Sequence, residues 1–252
     1  MSTKSELVKL GVQEFADRFR PELIPLATRF SYFSATPLSE EDVRDYLQEP
    51  IAAVPPGLRA LLGAIGIFLV PYLQKVGSHA GEMVVFEPPA ERAQVWSAGV
   101  FGESEASLVL AIRDRDVADY HYSFYRAVAE AAVRALPSSH QDRFIKVLRD
   151  EVRGGVHGEV DEESWRAKIQ LIRKQPDAKS DSKIFRSYAK LAFADTLTLY
   201  LHGICCDIDV DTGPRQLPSR YVRKRLELLR EMYPPPSGYA VFPEELNDKD
   251  KE

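Results

Sequence analysis

The chain has 252 residues, of which 44% are hydrophobic and 28% charged, and its net charge is −5. That balance suits a globular protein with one sizeable core, or one domain carrying a smaller N-terminal piece. It excludes a general affinity for nucleic acid or anionic lipid, because neutralising phosphates requires a basic surface. The opening residues, MSTKSELVKL, lack the apolar stretch and small-residue cleavage site of a secretory signal. The longest uncharged apolar run, Ala60 to Tyr72, falls short of the roughly 20 residues that a membrane-spanning helix needs. Cys205 and Cys206 are adjacent, where disulfide geometry is hard to satisfy, so a reduced, cytoplasmic compartment is expected.

In chain order, Glu6 to Arg20 predicts an amphipathic helix through Leu7, Leu10, Phe15 and Phe19, interrupted by Pro21 and Pro25. Ser39, with acids in the next three positions, starts a second helix that should end near Gln48, before Pro50. A Pro55-Pro56-Gly57 turn and a short helix over Leu58 to Leu62 complete a helical N-terminal region, residues 1–64. From Ile65 the texture becomes β-like. Ile67 to Leu73, Glu82 to Glu87, Gln94 to Val100 and Ala106 to Ile112 read as four strands of a small, mostly antiparallel sheet.

Helices follow. Asp119 to Leu136 has an apolar stripe at Tyr120, Phe124, Val128 and Ala131, with Asp116 or Asp119 as its cap. Ser138 to Arg153 is the next, ending at Gly154-Gly155. Glu159 to Lys174 should turn Trp165, Ile169 and Ile172 inward. Ile184 to Ile204 and Ser219 to Met232 are the last two. The expected architecture is α+β, a small mostly antiparallel sheet packed against a helical bundle over residues 65–242, with a disordered tail at 243–252.

The run FADTLTLYLHG at Phe193 to Gly203 and the run LPSRYVRKRLELLREMYP at Leu217 to Pro234 come after strands, a helix and a helical insertion. In that order they resemble the zincin metallopeptidases, especially the gluzincin type, whose third metal ligand is a glutamate on a second helix. In such enzymes H-E-x-x-H sets two imidazoles on one helix face, and its glutamate activates the metal-bound water. The resemblance implies a zincin-like fold here with a degenerate, metal-free site. Tyr122 and Arg126 stand at the two histidine positions, Ser123 at the general base and Leu191 near the third ligand. A guanidinium repels a metal ion. Shifting the register by one keeps His121 but sets Tyr122 and Tyr125 at the other two positions.

The resemblance therefore implies a non-catalytic pseudoenzyme without catalytic residues, metal or cofactor, retaining a cleft for a peptide or small ligand. His121, Tyr125, Tyr188, Asp195 and His202 are the cleft candidates; the last three share one helical face with Leu191 and Thr198. Two alternatives stand beside it. One is an active hydrolase with an atypical site drawn from His121, Asp195, His202 and Cys206. The other is a structural or protein-binding chain of a different fold. Asp207, Asp209 and Asp211 form D-x-D-x-D, but Thr212 and Pro218 occupy the places where an EF-hand needs Gly and Glu, which leaves only a weaker cation site open. Arg215, Arg220, Arg223, Lys224, Arg225 and Arg230 read as a solvated basic face partly paired with Glu227 and Glu231.

Overall fold

The computed structural model describes residues 9–77, 81–174, 182–206, 213 and 215–242. The expected tail at 243–252 and the candidate cation residues Asp207, Asp209 and Asp211 lie outside them. The strands are β1 (Leu10–Gly11), β2 (Ile24–Ala27), β3 (Phe30–Ser34), β4 (Ala64–Val70), β5 (Tyr72–Lys75), β6 (Glu82–Val85), β7 (Gln94–Val95), β8 (Ser97–Phe101) and β9 (Glu105–Ala111). They form two small sheets, ordered β1-β6-β5-β7 and β2-β3-β4-β9-β8. Most neighbours are antiparallel, and the exceptions are the parallel pairs β3–β4 and β4–β9. The architecture is α+β, as expected, with the strands divided between two sheets. No helix among the described residues is long and apolar enough to cross a membrane.

The chain divides into two compact units. The first, Met1–Ala52 with Leu62–Ala127, holds both sheets. Strands β4 and β9 are each buried over six successive residues, which accounts for their unbroken apolar sequences: central parallel strands are covered on both faces. Helix α1 (Val12–Phe19) packs Phe15 into a cluster with Phe68, Val70, Leu73, Val84 and Val109. The helical N-terminal region expected for residues 1–64 is not a separate body. Strands β2 and β3 lie inside it, and β3 pairs in parallel with β4. The sequence Phe30-Ser-Tyr-Phe-Ser34 is short and lies among prolines and polar residues, so only its pairing with a long apolar neighbour makes it a strand.

The helix begun at Ser39 also departs from expectation. Its capping box forms, with Ser39 Oγ accepting from the Asp42 N–H at 3.1 Å and Asp42 Oδ2 accepting from the Ser39 N–H at 2.8 Å. After α2 (Glu40–Val43) the chain widens into a π-helical turn, Arg44–Gln48, and then runs through Pro50 in α3 (Glu49–Ala52). Widening the coil is one way to carry a proline past the carbonyls that its ring would otherwise strike.

The second unit, Ala53–Leu61 with Val128–Glu252, is helical. It contains α4 (Pro56–Leu61), the latter part of α5 (Val117–Ala135), α6 (Ser138–Arg153), α7 (Glu162–Lys174), α8 (Lys183–Cys205) and α9 (Ser219–Met232). Helix α8 is buried on most sides and forms its axis. Two expectations are corrected here. Helix α7 turns Ser164, Lys168 and Leu171 inward, while Ile172 is 36% exposed. Arg225 is not part of a solvated basic face but is fully buried.

One interaction explains both. Arg225 reaches Glu151 through Nε at 3.1 Å and Nη2 at 2.5 Å, and Glu159 through Nη1 at 2.7 Å and Nη2 at 2.9 Å. Lys168 Nζ donates to Glu159 Oε1 at 3.1 Å and to the Gly158 carbonyl at 2.8 Å, and the Tyr188 hydroxyl also donates to Glu159. Two cations thus balance two anions inside the helical unit. Burial alone would raise the Glu159 carboxyl, but Arg225 and Lys168 beside it hold it down at about 2. For Arg225 burial opposes the charge, yet Glu159 and Glu151 raise its pKa well above its ordinary value. The rest of the basic helix behaves as expected, with Arg223 pairing with Glu227 at 3.0 Å; Glu231 pairs with Arg143 at 2.5 Å.

Candidate functional site

The loop from β9 to α5 reads Arg113-Asp114-Arg115-Asp116 and lies in the first unit, where the buried strand ends. It enters α5 without a glycine, so Asp114 takes the left-handed conformation at φ 56°. Aspartate tolerates this better than most residues, and such conformations concentrate at functional sites. Asp114 is fixed further by the Tyr72 hydroxyl, which donates to its Oδ2 at 2.7 Å. The next residue, Arg115, lays its guanidinium over the Trp96 ring at 4.8 Å and donates through Nη2 to Ser123 Oγ at 2.7 Å and to the Asp119 carbonyl. Burial lowers its pKa from the ordinary guanidinium value, with Asp119 pulling the other way, and the group stays cationic.

Around this fixed guanidinium is an open cleft of about 480 Å3 lined by Trp96, Asp114, Arg115, Asp116 and Asp119. The volume is in the range of small-molecule sites. Three carboxylates and one guanidinium make the wall acidic. The Nη1 nitrogen of Arg115 is buried and has no hydrogen-bond partner among the described residues. An unmet N–H of a charged group is unfavourable, and an acceptor oxygen reaching it would relieve that cost. Among the described residues the lining contains no hydroxyl, thiol or imidazole. Its carboxylates suit a cationic group, and its guanidinium suits an oxygen beside it.

The α5 residues singled out in the sequence take up mostly structural roles. In the π-helical turn the Glu49 N–H donates to the Arg44 carbonyl. The next donor in that register would be Pro50, which has none. The Asp45 carbonyl that this leaves over lies 2.7 Å from His121 Nε2. A carbonyl only accepts, so His121 carries its proton on Nε2. The Tyr120 hydroxyl donates to the Tyr46 carbonyl at 2.8 Å, and the Tyr125 hydroxyl to the Pro50 carbonyl at 3.2 Å. Two side chains of α5 thus clasp the π-helical turn, and a third holds α3 just after it. Burial drives the Tyr120 pKa far above its ordinary 10.

Of the positions that the sequence resemblance singles out, Ser123 is buried and held by Arg115, while Tyr122, Arg126 and Leu191 are partly buried. Among the remaining cleft candidates, Tyr188 belongs to the buried Glu159 network, Asp195 is buried and His202 is partly buried. Cys206 caps α8, its N–H donating to the His202 carbonyl at 2.7 Å. Of the four residues of the alternative hydrolase, His121 belongs to the first unit, and Asp195, His202 and Cys206 to the second.

Sequence reasoning missed Trp96, Asp114 and Arg115, and treated Asp116 only as a cap. The available signal was R-D-R-D placed directly after a seven-residue strand without a polar turn between. No family model, curated protein or solved structure matches the chain.

Proposed function

We propose that this chain is a non-catalytic, zincin-like protein that binds the amino-terminal end of a short peptide in the Trp96–Arg115 cleft. The order of elements supports the layout: strands, then α5, the α6–α7 insertion, the long α8 and the short α9 follow the sequence of parts that the resemblance implies. A single observation carries the functional reading. Ser123, at the position of the general base, is tied to Arg115, whose Nη1 is buried without a partner among the described residues and which lines an acidic cleft. A guanidinium fixed there opposes a metal dication and leaves no base to activate water.

The ligand chemistry follows from the wall. An α-ammonium group meets Asp114, Asp116 and Asp119, while the first carbonyl oxygen of the peptide accepts from Arg115 Nη1. A bare metal cation suits the same carboxylates but meets repulsion from Arg115. The protein is expected in the cytoplasm, with Cys205 and Cys206 as thiols. Calorimetric titration of trialanine tests this reading. Binding should weaken at least about tenfold in Arg115→Met and should be lost on acetylating the peptide's amine, since each removes a charge-assisted contact of about 1.5–3 kcal/mol. Equal binding of trialanine and its acetylated form would refute it.

A further inference from the structure

The helical unit carries a second surface feature, independent of the Arg115 cleft. Between the end of α5, α6 and the start of α8 lies a cavity of about 80 Å3, floored by Leu136, Phe144, Ile145 and Phe193. Phe144 and Phe193 meet edge to face at 5.0 Å and hold its shape. Arg186 and Lys190 form the rim. They are exposed, stand one helical turn apart on α8, and neither pairs with a carboxylate among the described residues. No described residue lining the cavity is acidic.

The placement of these cations goes against local preference. The amino-terminal end of a helix carries the positive end of its dipole, which favours acids in the first turn. Helix α8 has none there, and begins Lys183, Arg186, Lys190. Like charges at i and i+4 repel as well. Three basic residues in the first two turns work against the helix, and local choices of that kind concentrate at functional sites. The size of the cavity sets the other constraint. At 80 Å3 it is well below the roughly 300 Å3 at which small-molecule pockets begin, yet it takes one aliphatic side chain.

We infer that this groove docks an acidic peptide segment of a partner protein, with one leucine-like side chain in the cavity and flanking carboxylates on Arg186 and Lys190. Complementary charge at the rim speeds and orients the encounter, and a buried aliphatic anchor supplies most of the affinity.

Fluorescence anisotropy with a fluorescein-labelled Glu-Glu-Leu-Glu-Glu peptide tests this on the full chain. The peptide should bind saturably at low salt and weaken as salt rises. The double variant Arg186→Glu/Lys190→Glu should weaken it at least about tenfold, while Lys75→Glu/Lys224→Glu, which changes the net charge equally, should change it less than about threefold. Replacing the peptide's leucine by serine should abolish binding to the unaltered protein. Three results would overturn the inference: no saturable binding up to about 1 mM, equal loss in the two double variants, or equal binding of the serine peptide. An affinity gain of about tenfold or more in Leu246→Ser would overturn it too, because the chain's own segment at 243–252 would then be the occupant.

Discussion

Replacing Arg225 by methionine is the sharpest test of how the helical unit is held together. The substitution keeps the apolar length of the side chain but removes five charged contacts of 2.5–3.2 Å to Glu151 and Glu159. Lys168 remains, 3.1 Å from Glu159, so one buried carboxylate keeps a cation and Glu151 loses its own. Breaking one partner of a buried pair costs about 3–5 kcal/mol, against a total stability of about 5–15 kcal/mol for a typical domain. Urea denaturation followed by circular dichroism should therefore show a midpoint lower by about 1 M or more, taking a slope of about 3 kcal/mol per molar. The double variant Arg225→Met/Glu151→Met restores the charge balance, leaving Glu159 with Lys168 alone. It should regain at least half of the loss, since buried ion pairs are often replaceable by apolar residues of like volume. A single variant within about 0.5 kcal/mol of the parent, or a double variant no better than the single, would refute the view that paired charge is what this core requires.

Three further outcomes follow from the same geometry. Glu159 has its carboxyl lowered from 4.5 to about 2, so its contribution is complete above pH 4.5 and is lost as pH falls towards 2. Unfolding free energy measured over that window should drop with a slope of about 1.4 kcal/mol per pH unit from this group, and Glu159→Gln should flatten it. His121→Phe keeps the ring but removes the donor to the Asp45 carbonyl. It should destabilise the protein by about 1–3 kcal/mol in thermal melts, and a neutral result would mean that water satisfies the carbonyl instead. Gly158 has φ +81°, and a Cβ there would stand 2.1 Å from the Gln216 carbonyl oxygen. Gly158→Ala should cost roughly 2 kcal/mol or more by equilibrium unfolding, because it strains the turn and parts the backbone clasp in which Leu217 N–H donates to the Glu159 carbonyl at 3.0 Å.

The sequence made the long elements legible because periodicity and punctuation agreed there. Ser138–Arg153 matches α6 end to end, and the apolar run before Arg113 is the buried strand β9. What it concealed were features decided by partners distant in the chain. Phe30–Ser34 becomes a strand through Ile65 to Leu69, and Arg44–Gln48 becomes a π turn clasped by Tyr120 and His121. Lys168 and Arg225 look like surface residues until Glu151 and Glu159 are set beside them from other parts of the chain. At the site the reading was half legible: it drew attention to α5 and to Ser123, but not to Arg115, which occupies Ser123 from the preceding loop. A hydrogen bond between loop and helix leaves no periodic trace in a sequence.

The central claim, a binding cleft without catalysis at the start of α5, is tested most directly by one nuclear magnetic resonance titration. The chain has two tryptophans, Trp96 in the cleft and Trp165 on α7, and each gives a separate indole N–H signal. Addition of trialanine should shift the Trp96 signal in a saturable way and leave that of Trp165 in place, with the peptide intact after a day in the tube. Release of alanine and dialanine, or a Trp96 signal that stays still at saturating peptide, would contradict the account.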